Sequence, residues 1–246
     1  MKQSLNILKD HTIGTNDLFN GNIKDFLFDE KRWVIRYIDA EFEDSATAEK
    51  VLVPRILFRI PDGGSKLLPT RLSKQEIENC PKAKDHLPVS RKYEEKLSKY
   101  YQISPYWRAA YLRTTVGFLP PRPLNVLSES VSEKDIDSIL RSFVELKGYN
   151  IEATDGNVGH IEDLIIDYQD WQIVYAVIDT SNWLPWSKKV IIPISRMTDI
   201  SYTESLVKID LKTETIKNAP EYNPEKMLEE EFERGVIDFY SQSLVV

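Results

Sequence analysis

The chain has 246 residues, of which 41% are hydrophobic and 29% charged, the proportions of a folded globular protein rather than a disordered or membrane-spanning one. That length allows one large domain or two of roughly 100 to 120 residues, each able to bury its own core. A formal net charge of −7 supplies no basic field for phosphates or anionic headgroups, so neither nucleic acid nor a membrane surface is an expected partner.

Met1-Lys2-Gln3-Ser4-Leu5-Asn6 lacks the apolar run of a signal peptide. No stretch approaches the roughly eighteen apolar residues of a membrane span, so direct insertion is not expected and a cytoplasmic location is. Cys80 is the single cysteine, which rules out an intrachain disulfide or a thiolate metal cluster. Its neighbours Glu78, Asn79 and Pro81 offer no cation to activate the thiol, and it reads as structural.

Taken along the chain, the elements occur twice. Ser4, Leu8, Lys9, Ile13, Asp17, Gly21, Ile23, Asp25, Asp29, Trp33, Ile35 and Tyr37 recur as Ser142, Leu146, Lys147, Ile151, Asp155, Gly159, Ile161, Asp163, Asp167, Trp171, Ile173 and Tyr175, at a spacing of 138 (171 minus 33). After one inserted residue the spacing is 139, and Lys50-Val51-Leu52-Val53-Pro54 matches Lys189-Val190-Ile191-Ile192-Pro193. The same register carries Leu72, Ile77, Asn79, Pro81 and Tyr101 onto Leu211, Ile216, Asn218, Pro220 and Tyr240.

Within each copy a first strand holds Ile13 or Ile151, and the tight turn after it is expected at Asn20-Gly21 or at Asp155-Gly156. Short runs rich in β-branched and aromatic residues follow: Ile23 to Asp29 or Ile161 to Asp167, a turn at 30–32 or 168–170, then Trp33 to Phe42 or Trp171 to Asp179. An apolar strand ending at Pro54 or Pro193, and another near 66–68 or 206–209, complete five or six strands that could close into a small barrel.

Helical appendages come next. Ser73 and Glu76 form a Ser-x-x-Glu capping box that opens a helix stopped by Pro81, with a counterpart from Thr213 to Ala219. A second helix per copy is predicted over 94–101 and 229–240. The stiff Pro120-Pro121-Arg122-Pro123 marks the boundary, and Ser132 to Phe143 predicts a helix with Ile136, Ile139, Leu140 and Phe143 on one face. The expected organisation is a first module with helical tail over 1–103, a linker with helix over 104–141 and a second module over 142–246.

The run from Gly148 to Asp163, with Thr154-Asp155-Gly156-Asn157-Val158-Gly159 at its centre, together with Trp171-Gln172-Ile173-Val174-Tyr175 and Lys189 to Pro193, resembles the PRC-barrel family. That family includes the cytoplasmic domain of the photosynthetic reaction-centre H subunit and a ribosome-maturation factor. In the first copy Asn16-Asp17-Leu18 replaces the Thr-Asp-Gly of the pattern, so its first hairpin is expected to differ. The resemblance implies a mainly β fold of two small PRC-type barrels in tandem with short helical appendages. It implies a docking platform and does not by itself specify a function.

Several constellations could carry chemistry. Asp155, Asp163 and Asp167 could attract a hard cation, but Asp163 and Asp167 stand about 13 Å apart along a strand at roughly 3.3 Å per residue, and turn capping accounts for them better. His160 and Glu162 share a strand face, where a proton relay competes with an ordinary solvated surface. Neither a nucleophile elbow around His11, His86 or His160 nor a phosphate loop at Gly63-Gly64 is present, so an enzyme is not expected and no cofactor is implied.

Trp183-Leu184-Pro185-Trp186 falls between two strands of the second copy, where the first carries the acidic run from Glu43 to Glu49. Large apolar side chains in a loop serve as contacts, or bury against a neighbouring helix. Trp183 and Trp186 are therefore the candidate partner-binding residues. The expected function is a non-enzymatic protein-binding or assembly module, its partner another protein or a second copy of the chain. The alternatives are an accessory of a photosynthetic or electron-transport complex, implied only by the resemblance, and an enzyme with an unrecognised site.

Overall fold

The computed structural model describes residues 2–42, 50–61, 64–82, 89–107, 140–180, 188–224 and 230–242. The first half contains β1 (Lys2–Ser4), α1 (Leu5–Lys9), β2 (Thr12–Gly14), β3 (Asn20–Asp29), β4 (Val34–Phe42), β5 (Val51–Pro54), β6 (Leu67–Pro69), α2 (Lys74–Glu78) and α3 (Arg91–Tyr100). The second contains β7 (Leu140–Ser142), α4 (Phe143–Leu146), β8 (Asn150–Ala153), β9 (Gly156–Asp167), β10 (Gln172–Asp179), β11 (Lys189–Pro193), β12 (Met197–Ser201), β13 (Leu206–Ile209), α5 (Thr213–Lys217) and α6 (Glu230–Gln242).

Burial alternates along the long strands, as in β4, because successive side chains leave opposite faces of the pleat. The described strands form one continuous sheet in the order β12-β13-β8-β9-β10-β4-β3-β2-β6, with β11, β5, β1 and β7 branching from it. This corrects the expectation of two separate closed barrels: the sheet is mainly antiparallel and open, and it runs across both halves. Reading outward from the β10–β4 junction, β9, β8 and β13 on one side answer to β3, β2 and β6 on the other. The order therefore mirrors the 138-residue repeat.

The junction is built at two tryptophans. Trp33 and Trp171 each close a hairpin turn at positive φ (53° and 61°), an uncommon conformation for a bulky residue. Each indole is packed: Trp33 stacks on Phe28 at 5.3 Å, and Trp171 meets Tyr168 at 5.5 Å and Phe58 at 6.2 Å. Their carbonyls accept hydrogen bonds across the junction, from Ile173 N to Trp33 O (2.6 Å) and from Ile35 N to Trp171 O (2.9 Å). Arg55 Nη1 adds a donor to the Asp170 carbonyl. One apolar core runs through both halves, from Phe26, Phe28 and Ile38 to Leu164, Ile173 and Ile191.

Two local expectations are corrected. Asn20-Gly21 lies inside β3, with Gly21 opposite Ile13 and Phe42, and the turn falls earlier, at Asn16-Asp17-Leu18. There Leu18 adopts the positive φ (64°) at the place Gly156 holds in the second half. Residues 140–142 form strand rather than helix, so Leu140 belongs to β7 and only Phe143 begins a helical turn. The remainder of that predicted helix, and nearly all of the linker placed at 104–141, lie outside the described residues.

Gly159 has φ of +137°, and a Cβ there would overlap the Asp179 carbonyl on β10. Gly159→Ala should cost more than about 3 kcal/mol, because a backbone clash adds to an unfavourable dihedral. Gly235, inside α6 with nothing near its missing side chain, gives the opposite sign: Gly235→Ala should stabilise by about 0.5–1 kcal/mol. Urea unfolding of the two variants measures both.

Candidate functional site

The short arms that precede each half lie on the opposite half. β1 pairs antiparallel with β9, Ser4 opposite Ile165, and β7 pairs antiparallel with β3, Ser142 opposite Leu27. Each arm then makes one helical turn capped by its own serine: Ile7 N donates to Ser4 Oγ (3.1 Å) and Glu145 N to Ser142 Oγ (2.9 Å).

The same serines reach a buried carboxylate across the junction. Ser4 Oγ donates to Asp163 Oδ2, and Asn6 N donates to Asp163 Oδ1 at 3.0 Å. In mirror image, Ser142 Oγ donates to Asp25 Oδ2 at 2.5 Å and Val144 N to Asp25 Oδ1 at 3.0 Å. Each aspartate accepts one further bond from the next backbone amide, Leu164 N or Phe26 N. Three donors thus surround a carboxylate that would otherwise be buried and under-satisfied.

Apolar anchors complete the lock. Leu5 and Leu8 of one arm, and Phe143 and Leu146 of the other, are fully or almost fully buried. Each arm also carries a cation: Lys2 Nζ meets Glu233 Oε2 at 2.6 Å and Arg141 Nε meets Glu30 Oε2 at 2.7 Å. Lys147 Nζ donates to Asn6 Oδ1 at 3.1 Å, tying one arm to the other. The shared pattern is a basic residue one or two places before serine, then an apolar residue, then leucine three further on.

Burial pushes the carboxyls of Asp25 and Asp163 upward, and the hydrogen bonds from serine and backbone amides oppose that rise. Of the residues singled out in the sequence, Asp163 is therefore an inter-half acceptor. Asp155 takes a different role, accepting from Thr213 N at 2.7 Å and Thr213 Oγ1 at 3.1 Å, which fastens α5 to the turn before β9. Asp17 fastens α2 in the same way through Lys74 N. Asp167 accepts from Gln169 N at 2.9 Å within its own hairpin turn, and Gly156 starts β9. Ser4 and Ser142 are part of the repeat pattern, but nothing in the sequence tells which half's aspartate each one meets.

His160 and Glu162 share a face with Asp179, and their ligand atoms lie within 4.8 Å of one another. One imidazole and two carboxylates form a donor set that suits a divalent ion such as zinc. Lys189 Nζ, 3.1 Å from Glu162 Oε1, already brings a positive charge to that face. In the first half the positions are Asn22, Lys24 and Glu41, and Lys24 pairs with Glu41 directly. A cavity of about 300 Å³ in the first half is bordered by Leu57, Arg71, Glu76 and Tyr101, one basic and one acidic group rather than a histidine–carboxylate set; in the second half Arg196 replaces Leu57 and bonds to Asp210 (3.4 Å) and the Tyr240 carbonyl (2.5 Å). Trp183 and Trp186 lie outside the described residues.

Beside the first lock, Asp39 stands directly across from Asp25, where the second half carries Val177. Burial, opposed by Lys50 and reinforced by Asp25 and Glu41, pushes its carboxyl up to about 6. The folded chain holds this proton more tightly than the unfolded chain, so a destabilising contribution sets in as pH climbs past about 4 and is complete above the folded value. Asp39→Asn should therefore gain about 1–2 kcal/mol at neutral pH and nothing below about pH 4, measured by chemical unfolding across that range.

Residues 140–216 match the PRC-barrel domain. The matched stretch runs from β7 into α5, so it includes the groove over Asp163 and the arm that the first half receives. No curated protein matches the chain. Among the described residues no helix is long and apolar enough to cross a membrane.

Proposed function

We propose that this chain is a non-enzymatic assembly module that holds protein partners on two fused, related halves. The observation that carries this reading is the reciprocal lock: each half binds an extended segment of the other by strand addition, a capped helical turn and a buried carboxylate. Strand addition is a general mode of segment recognition, in which main-chain bonds supply affinity and side-chain pockets supply selectivity. The PRC-barrel domain at 140–216 is compatible with such a role. Asp17, Asp25, Asp155 and Asp163 serve packing and capping, which also fits a binding part better than a reaction centre.

The partner is a protein, either a different chain or a second copy, and the segment Trp183-Leu184-Pro185-Trp186 of the second half supplies contact residues. Affinity capture from the source cell with wild-type chain and with the Trp183→Ala, Trp186→Ala double variant tests this. The expected result is a reproducible partner retained by wild type and reduced at least about tenfold in the variant, the loss typical of aromatic anchors. Equal retention of every partner removes those tryptophans from the interface.

A further inference from the structure

The two arms are two samples of one recognition event. Lys2-Gln3-Ser4-Leu5-Asn6-Ile7-Leu8 and Leu140-Arg141-Ser142-Phe143-Val144-Glu145-Leu146 share serine, an apolar residue after it and leucine four after it, and each presents a cation to a glutamate. What the grooves read is therefore a pattern rather than one sequence. The two complexes differ in fit: beside Lys2, Gln3, Ser4 and Ile7 an open cavity of about 190 Å³ remains, floored by Ile165 and Tyr222. Ile7 is left 44% exposed at its rim. This depression is open to solvent and its floor is apolar, so the arm leaves room that a larger side chain at the Gln3 or Ile7 position would fill.

We infer that the groove over Asp163 is a docking site for a partner polypeptide segment of the pattern Ser-apolar-x-x-Leu with a basic residue one or two places before the serine, and that residues 2–9 occupy it in cis as a replaceable placeholder. This rests on the assembly reading and names the chemistry of its partner. The incoming segment pairs with β9 along Ile165 to Asp167, its serine donates to Asp163, and its two apolar residues take the places of Leu5 and Leu8. A bulky apolar residue at the position of Gln3 or Ile7 lets it bind better than the arm. Displacement moves no charge into the core, because Asp163 exchanges one serine for another.

The test uses the full chain and fluorescein-labelled peptides. One probe has the sequence of residues 2–10, a second carries tryptophan in place of Gln3, and a third carries alanine in place of Ser4. In the Leu5→Asp variant, whose own arm cannot bury, the first probe should bind saturably, the tryptophan probe about tenfold tighter and the alanine probe about tenfold weaker, the ratio of one buried hydrogen bond to a charged acceptor. Wild type should bind each probe at least about tenfold more weakly than the variant does, because its groove is filled. A folded Leu5→Asp chain that binds no probe, or that binds the alanine probe as well as the first, overturns the proposal.

If Leu5→Asp does not fold, Lys2→Glu replaces it, since that change sets two glutamates against each other at Glu233 without touching the core. Probe affinity above wild type then supports the site, and unchanged affinity overturns it. Partner capture that persists when no probe binds sinks this groove alone and leaves the assembly reading standing.

Discussion

Two buried aspartates hold this molecule together as one body. Asp25 on β3 and Asp163 on β9 are buried, each with a carboxylate that its own strand satisfies only through the following amide. The missing donors come from the arm of the other half, as serine hydroxyl and helix N-terminal amide. A charge withdrawn from water without such partners is strongly destabilising, so each half needs a serine-bearing segment seated over its aspartate. The backbone bonds across the junction, from Ile173 N to Trp33 O and from Ile35 N to Trp171 O, are reciprocal in the same way as the two locks.

The two halves have diverged around that conserved frame. Val177 is replaced by Asp39 beside the first lock, Arg196 by Leu57 beneath the helical tail, and the His160, Glu162, Asp179 face by Asn22, Lys24 and Glu41. Each exchange changes charge or volume while leaving the serines, aspartates and tryptophans of the junction in place. Divergence thus spares the serines and aspartates of the locks and the two junction tryptophans, and it makes two unlike faces from one repeated unit.

Much of this was legible in the residues. The strand runs at Ile23 to Asp29 and Ile161 to Asp167, the hairpin turns at 30–32 and 168–170 and the capping box at Ser73 and Glu76 all depend on local chemistry, and local chemistry is what a sequence displays. Arm exchange is not local. A serine 21 residues before Asp25 recurs 21 residues before Asp163 (25 minus 4, 163 minus 142), so the repeat reads identically whether each serine bonds the aspartate of its own copy or of the other. Closure is hidden for the same reason, since β4 and β10 look like interior strands of separate barrels until their tryptophan carbonyls are seen to accept from each other's strands. The polar residue set against Phe26-Leu27-Phe28 and Leu164-Ile165-Ile166 was the available sign that a distant donor had to exist.

Double-mutant cycles test the exchange most directly, because coupling energy reports contact rather than sequence pattern. Ser4→Ala combined with Asp163→Asn should show an interaction energy of about 1–3 kcal/mol in urea unfolding, and Ser142→Ala with Asp25→Asn the same. Ser4→Ala with Asp25→Asn should be additive within about 0.5 kcal/mol. Coupling of Ser4 to Asp25 with none to Asp163 would mean that each arm folds back on its own half, and would contradict the account.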